Sequence, residues 1–541
     1  MKKHHVVYVA VAIIVLLILA IFPKWVVDDA FISFRYAYNF INYGEFTYNI
    51  GENPVEGYTG ILMPLGIALG LNLGITPKLM SHLIGILSFL VVLITLHNIL
   101  TRFCSRSFIY LSMLFLFVTA PFIYTHVFSG LETLPFIALL LVSSLQLHTI
   151  ISLRSSSFVH YSAIALSLFA LSLCRPEGAI YTIIVMCILS GTALLRITSR
   201  RKFVISSLFF LILPGIFYFV WRWQYYGYLL PNTFYAKQDA SFVYRSFSDL
   251  KFFCKEYLFL PAVFVVSTCM VYRDKTIAKH QQKQQFLKTN DLLTLGSLIL
   301  FGIIIVVQYL RSNLGMDYSY RFYAPLYPIA LVLFGWILSA SYETARLIRQ
   351  SKPLLHIAII LGLCVTLLIQ VAFHMNWLLS KEMPFALNYK TRLAEMHHVV
   401  GRYIKKQLPD SEWLIVHNDA GVIPYYSELK TIDFGGLNDE FLAHNKKASI
   451  EDRVNYFFSK KPGAVVFTTY EWDQVNHGPE ANAIISDPRF KEFKLVKKYN
   501  NTTGLKYYEF VFIKENLLEQ NKVINLANKA TAGDGKRYPI N

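Results

Sequence analysis

The sequence predicts a polytopic α-helical membrane protein of about eleven transmembrane helices followed by a C-terminal α/β domain. Three observations carry that prediction. The 541-residue chain is 55% hydrophobic with a mean hydropathy of +0.43, beyond the usual range of a soluble globular chain. Apolar runs long enough to cross a bilayer recur as far as residue 378. From residue 385 onward those runs stop, charge rises and turn signals appear.

The apolar runs lie near 6–25, 79–100, 107–124, 132–152, 157–173, 177–198, 203–225, 255–272, 292–311, 321–341 and 355–378. The first follows MKKHH but precedes no small-residue cleavage site, so it reads as an uncleaved span. A further run, 59–75, is shorter and carries Gly and Pro. Basic residues cluster in short loops at Arg102/Arg106, Arg154, Arg196 to Lys202, Arg273 to Lys288 and Arg346 to Lys352. These fall on one side only if 59–75 stays at the outer interface. The N-terminus is then cytoplasmic and the C-terminal domain is periplasmic. The net charge of +17 is thereby a positive-inside signature, which argues against nucleic acid as a partner. Six cysteines without CxxC spacing, none after residue 364, suit small buried hydrophobes rather than a disulfide framework or zinc site.

The domain boundaries expected are 1–380 for the membrane domain, 385–515 for the α/β domain and 516–541 for a polar, disordered tail. Within 385–515, EWLIVHND and KPGAVVF read as short buried strands, and 491–515 reads as a hairpin with a polar tip.

The outer loops hold the candidate chemistry. Asp28 and Asp29 sit where the first span ends, and a carboxylate pair there is hard to explain by packing. A helix over 28–41 would place Phe31, Phe34, Tyr38 and Ile41 on one apolar stripe suited to lying on the membrane. Asp28, Ile32, Arg35 and Asn39 fall on another face. An N-cap needs only one such residue, so the pair points to function. Glu56 and Tyr58 follow in a Gly- and Asn-rich loop. Ser129–Gly130–Leu131–Glu132 and Cys174–Arg175–Pro176–Glu177–Gly178 form two further turns, and Asn232, Lys237, Asp317 and Arg321 stand in later ones. A cation in such an outer turn lies at the depth of a lipid phosphate, whose tail stays in the bilayer. Arg175, Lys237 and Arg321 are cations at the expected depth. His417 ends a predicted strand and reads as a packed or capping histidine.

DDAFISFRYAYNF with GENPVEGYTG resembles the first outer loop of bacterial GT-C glycosyltransferases. SGLET, RPEG, YYGYLLPNTFYAK, YRFYAPLYP and DAGVIPYYSELKTIDFGGLND also resemble motifs of that group. The similarity is greatest to the branch containing mycobacterial arabinofuranosyltransferase B and lipopolysaccharide-type proteins. The resemblance implies a GT-C-like fold with catalysis on the outer face of the inner membrane and a polyprenyl-phosphate-linked sugar donor. It implies an inverting transfer to a glycan or glycolipid acceptor, such as lipopolysaccharide or cell-wall polysaccharide. Asp28 and Asp29 take the catalytic positions. Arg35, Glu56, Tyr58, Glu132, Arg175, Glu177, Asn232, Lys237, Asp317 and Arg321 take substrate or phosphate positions. A divalent cation (Mg, Mn or Ca) would be held by Asp28, Asp29 and Glu132. The 385–515 domain would position the acceptor. One departure bears on the sugar: Gly315–Met316–Asp317 is followed by Tyr318–Ser319–Tyr320–Arg321, without the histidine of the arabinosyltransferase pattern. The transferred sugar is therefore left open between pentosyl and hexosyl. Lipid A or a protein as acceptor, and a lipid-linked sugar flippase, are the alternative functions.

Overall fold

In the computed structural model the described residues are 2–153, 157–237, 244–271, 289–312, 314–315, 317–348, 353–476, 478–501 and 506–518. Arg154, the 273–288 basic loop, Met316 and residues 519–541 of the expected tail lie outside them. The chain forms two compact units. One comprises Met1–Trp25, Thr59–Gly227 and Lys237–Leu387; the other comprises Val26–Tyr58, Tyr228–Ala236 and Asn388–Asn541.

The first unit is helical. Among the described residues six helices are long and apolar enough to cross a membrane: Pro77–Phe103, Thr133–Ser152, Glu177–Leu194, Arg200–Tyr226, Asn290–Tyr309 and Ile360–Gln407, the last of which includes residues 388–407 of the second unit. A seventh is added if Ser107–Thr119 and Pro121–Phe128, bent by 54°, count together. The expected count of about eleven exceeds this because several apolar runs form shorter helices, among them Phe158–Cys174 and Leu326–Tyr342. The break inside 107–124 has a local cause. Pro121 lacks the N–H that would continue the ladder, and Ala120 before it is extended (φ −66°, ψ 115°). The 59–75 run yields the eleven-residue helix Leu62–Asn72, roughly half the length a span needs.

Helix packing in this unit uses close approach. A Cβ on Gly85 would lie 2.0 Å from the Val127 carbonyl oxygen, so only glycine fits there.

The second unit is an α/β domain with an added N-terminal segment. Its five strands are β1 (Trp413–Val416), β2 (Lys430–Asp433), β3 (Ala464–Thr469), β4 (Phe493–Asn500) and β5 (Tyr508–Lys514), in the order β2-β1-β3-β5-β4. β1 runs parallel to β2 and β3, while β5 is antiparallel to β3 and β4. The two predicted strands and the predicted hairpin are β1, β3 and β4–β5. Both faces of the central strands are covered. Leu414, Val416 and Val466 join Val400 and Ile404 on one side. Ile415, Val465 and Phe467 join Val454, Phe457 and Ile484 on the other. Burial on both faces explains why β1 and β3 read as unbroken apolar runs.

The helix Ala30–Tyr43 belongs to this unit. Of the expected apolar stripe, Phe31, Phe34 and Tyr38 pack against Tyr425 inside the unit, while Ile41 is exposed. Phe31 and Phe34 are buried and face Tyr425 at ring-centroid distances of 5.4 and 6.4 Å. The short helix Val422–Ser427 supplies that partner.

Gly421 precedes that helix, and a Cβ there would meet the Asp28 carbonyl oxygen at 1.9 Å. Gly421→Ala should therefore destabilise the second unit by about 1–3 kcal/mol, the scale of overpacking at a buried site. Thermal denaturation of the purified chain measures this, and an unchanged melting temperature would contradict the packing.

Candidate functional site

Asp28 is the organising residue of the second unit. It is 3% exposed. Its Oδ2 accepts from the Gly421 N–H and its Oδ1 from the Val422 N–H, both at 2.8 Å. Its own N–H donates to the Tyr389 hydroxyl at 2.8 Å. A carboxylate closing the start of a helix meets otherwise unpaired N–H groups, so it holds the Asp419–Ala420–Gly421 turn in place.

Behind Asp28 lies a fully buried imidazole, His397, carried by the helix Glu395–Gln407. His397 Nδ1 is 3.5 Å from Asp28 Oδ1. Its Nε2 is 3.7 Å from Asp419 Oδ2 and 3.4 Å from Glu509 Oε1. These are ion-pair distances; neither ring nitrogen nor Glu509 Oε2 makes a hydrogen bond. Topology brings the group together. Asp419 follows the carboxyl end of β1, and Glu509 on β5 pairs across the ladder with Thr468 on β3. Asp419 Oδ2 accepts from the Tyr507 hydroxyl at 2.6 Å and the Thr468 hydroxyl at 2.8 Å.

Three carboxylates around one imidazole cannot all be charged in a dry interior. Burial pushes Glu509 up to about 8, with Asp419 adding to it. Burial alone would raise Asp419, but His397, Tyr507, Glu509 and Thr468 outweigh it and hold the group low. Burial would lower His397, yet Asp419, Asp28 and Glu509 outweigh it and keep the ring protonated. Burial also raises Asp28, opposed by His397 and the Val422 N–H. Near neutral pH, Asp419 and His397 form an ion pair and Glu509 retains its proton. That proton can be donated to Thr468, whose hydroxyl in turn donates to Asp419.

Among the described residues, Asp28, His397 and Asp419 form a group able to hold a metal ion, with ligand atoms within 4.8 Å of one another. The expected set of Asp28, Asp29 and Glu132 is not the one assembled. Asp29 lies outside the group, and Glu132 belongs to the other unit.

Asp29 occupies the N-cap position of Ala30–Tyr43 but makes no side-chain capping bond, and it is half-buried. Arg35, expected among the substrate-binding residues, is buried and bonded to main-chain carbonyls and to Asn49. Its Nε donates to Tyr48 O (2.7 Å), Nη1 to Pro424 O (2.6 Å), and Nη2 to Leu429 O (2.6 Å) and Asn49 Oδ1 (3.2 Å). Tyr58 is buried edge-on against Tyr36 and Phe46. Glu56 is buried, and its carbonyl accepts from the Asn232 N–H. The Asn232 side-chain amide donates to the carbonyls of Gly436 (2.9 Å), Leu437 (3.0 Å) and Asp439 (3.2 Å). These bonds latch a loop, while the buried Oδ1 of the same amide makes no hydrogen bond.

In the helical unit, Arg175 lies between two carboxylates. Its Nη1 is 2.7 Å from Glu132 Oε1, and its Nη2 is 3.1 Å from Glu177 Oε1. Glu177 Oε1 also accepts from the Tyr309 hydroxyl at 2.7 Å. Asp317 Oδ1 accepts from the Phe322 N–H at 3.3 Å, and Arg321 lies over the Phe322 ring at 4.8 Å. Ser319 and Tyr320 between them have positive φ (47° and 57°). Two adjacent non-glycine residues in that region mark a strained turn. Ser319 donates to Glu382 Oε2 at 2.6 Å, and its carbonyl lies 3.1 Å from His126 Nε2. Lys237 ends the short helix Asn232–Lys237.

Sequence reasoning missed His397, Thr468, Tyr507 and Glu509. His417, expected to pack, stacks on Phe434 at 5.3 Å.

A profile described as a domain of unknown function (DUF8728) matches residues 386–515. No curated protein matches the sequence. Among solved structures, ArnT from Cupriavidus metallidurans bound to undecaprenyl phosphate aligns with a TM-score of 0.58 at 11% identity, covering 95% of this chain and 99% of that one. Its apo form aligns equally well, at 12% identity. The archaeal oligosaccharyltransferase AglB from Archaeoglobus fulgidus, in complex with an inhibitory peptide and a dolichol-phosphate, aligns with a TM-score of 0.54 at 10% identity, covering 86% and 69%. At these identities the likeness shows the fold alone, a fold the chain shares with ArnT and AglB.

The titrations around His397 fix a pH dependence. Glu509 has a folded pKa above its unfolded value, so its contribution is present at low pH and is lost as pH rises through about 8. His397 is also raised, so its contribution disappears in the same alkaline direction. The melting temperature should fall as pH rises from about 4.5 to about 8, and Glu509→Gln should flatten that part of the fall, while the His397 contribution carries the fall on above about 6.5.

Proposed function

We propose that the protein is an integral-membrane glycosyltransferase of the extracytoplasmic face. It takes a sugar from a polyprenyl-phosphate donor and places it on a glycan or glycolipid of the cell envelope, such as lipopolysaccharide or a cell-wall polysaccharide. The observation that carries this reading is the fold. Two proteins of that fold are described as holding undecaprenyl phosphate and dolichol-phosphate, and one is named an oligosaccharyltransferase.

The two aspartates divide the work. Both Asp28 oxygens are engaged by backbone N–H groups and the residue is buried, so it positions the segment that follows. Asp29, half-buried beside it, is assigned as the general base. Its carboxylate takes the proton of the acceptor hydroxyl as that oxygen bonds to the anomeric carbon. The bond from that carbon to the phosphate oxygen breaks, and the polyprenyl phosphate leaves with the electron pair. One in-line displacement inverts the anomeric centre. Arg321 and Lys237 are assigned to the leaving phosphate, whose charge grows in the transition state. Arg175, which faces Glu132 and Glu177, is the third cation assigned to that phosphate.

Asp29→Asn should reduce transfer at least ~100-fold, the usual scale for losing a general base, with an unchanged melting temperature. Asp28→Asn should lower the melting temperature as well. The readout is envelope glycan analysis of a strain lacking the gene, complemented with each variant. Full complementation by Asp29→Asn would refute the assignment of the base.

A divalent cation finds donors in Asp28, His397 and Asp419. The unbonded, buried nitrogens of His397 suit it, and a mixed nitrogen and oxygen set favours Mn over Mg or Ca. Bound there, the cation would supply positive charge to the buried carboxylates. Because it competes with the His397 proton, affinity should rise with pH. Mn²⁺ should raise the melting temperature more at pH 8.5 than at pH 6.5, and His397→Ala should abolish the effect. No shift at either pH would remove the cation from the mechanism.

A further inference from the structure

Two acids inside the helical unit take no part in the proposed transfer. Glu382 is 6% exposed and lies within the apolar helix Ile360–Gln407. Glu256, half-buried, precedes the helix Phe259–Val271. A carboxylate in such a setting is costly to hold and calls for a partner. Each stands on a π-helical turn, Leu378–Glu382 and Cys254–Leu258. Turns of that kind are rare and recur where a side chain has to be aimed for function.

Both acids grip the same short segment. The Ser319 hydroxyl donates to Glu382 Oε2 at 2.6 Å, and the Tyr320 hydroxyl donates to Glu256 Oε2 at 2.9 Å. Ser319 and Tyr320 are the neighbours with positive φ, a conformation that persists in such residues only when the surroundings impose it. Further bonds brace the two grips. Thr125 donates to the same Glu382 oxygen at 2.6 Å, and the next residue, His126, has its Nε2 3.1 Å from the Ser319 carbonyl oxygen. Gln370, on the helix that leads to Glu382, donates to the Glu256 main-chain carbonyl at 2.9 Å.

The turn delivers the two residues that follow it. The Arg321 guanidinium lies 4.8 Å from the centre of the Phe322 ring, and that of Arg175 lies 5.3 Å from the same centre. Phe322 is thus shared by two of the cations assigned to the leaving phosphate. Like charges at one ring repel each other, so their spacing has to be imposed by the structure around them.

We infer that Glu256 and Glu382 are positioning residues. Through Tyr320 and Ser319 they hold the 317–322 turn in the form that sets Arg321 beside Arg175 at Phe322, a preorganised site for the lipid phosphate. The inference rests on the proposed transfer, which assigns those cations to the phosphate.

The test titrates undecaprenyl phosphate, and undecaprenol as its uncharged counterpart, into the purified full chain in detergent, read by native mass spectrometry. Arg321→Ala should weaken undecaprenyl phosphate. Ser319→Ala and Tyr320→Phe each remove one grip. Each should weaken undecaprenyl phosphate about tenfold, the scale of one lost hydrogen bond, and leave undecaprenol unchanged. Glu382→Ala should act in the same direction, and Glu382→Gln, whose amide oxygen still accepts both hydroxyls, should restore most of the loss. If Ser319→Ala and Tyr320→Phe bind undecaprenyl phosphate as the unsubstituted chain does, or lose both lipids alike, the glutamates are not positioning residues. The phosphate assignment then still stands on Arg321→Ala. If Arg321→Ala binds unchanged, or the unsubstituted chain does not prefer undecaprenyl phosphate to undecaprenol, the phosphate assignment itself fails and the inference falls with it.

Discussion

The second unit depends on one carboxylate. Asp28 receives two backbone N–H groups from a turn 393 and 394 residues further along the chain. A charged acceptor meeting unpaired donors at a helix start is among the stronger local interactions available to a protein. Here it works where water is excluded, so removing it leaves both sides without partners. Gly421 is the steric counterpart, because the approach of the two backbones leaves no room for a side chain. Arg35 extends the same joint, donating to the carbonyls of Pro424 and Leu429. Aspartate, glycine and arginine thus fasten the 26–58 segment onto the sheet domain through main-chain groups.

Behind that joint, His397 resolves an electrostatic problem. Asp28, Asp419 and Glu509 are all nearly or fully buried, and three negative charges there would not be tolerated. A protonated ring, a retained proton on Glu509, and hydroxyls from Thr468 and Tyr507 bring the group close to neutrality. The helical unit solves a similar problem differently. Arg175 lies between Glu132 and Glu177, with Tyr309 completing the shell.

Much of this was legible in the sequence. The apolar runs marked the helices, and the strands β1, β3 and β4–β5 were marked by their apolar content and turns. The Asp28–Asp29 pair was read from the sequence as catalytic, and in the structure both Asp28 oxygens are bonded to main-chain N–H groups. What the pair does individually was not legible, because the groups that occupy Asp28 are main-chain N–H groups nearly four hundred residues away. Arg35 looked like a substrate ligand for the same reason: its partners are carbonyls, which have no sequence signature. His397 was hidden as one polar residue on an amphipathic helix, and Glu509 as one acid in a hairpin strand. The aromatic stripe on Ala30–Tyr43 was read correctly as a face but given the wrong neighbour, since a lipid surface and the rings of Val422–Ser427 make the same demand on a sequence. The bend at Pro121 was visible in principle, yet the surrounding hydropathy outweighed it.

The second unit draws on three stretches of chain, the first near the N-terminus and the last reaching its C-terminal sheet. During synthesis the ribosome delivers the 26–58 stretch long before the turn that receives Asp28 exists. Until translation passes residue 422, the early stretch has a buried-type carboxylate, a buried-type arginine and a row of aromatic rings with nothing to cover them. Nascent chains of this protein therefore present a sticky, unfinished surface for most of their elongation. Any truncation upstream of that residue would leave that surface permanently open to chaperones and proteases.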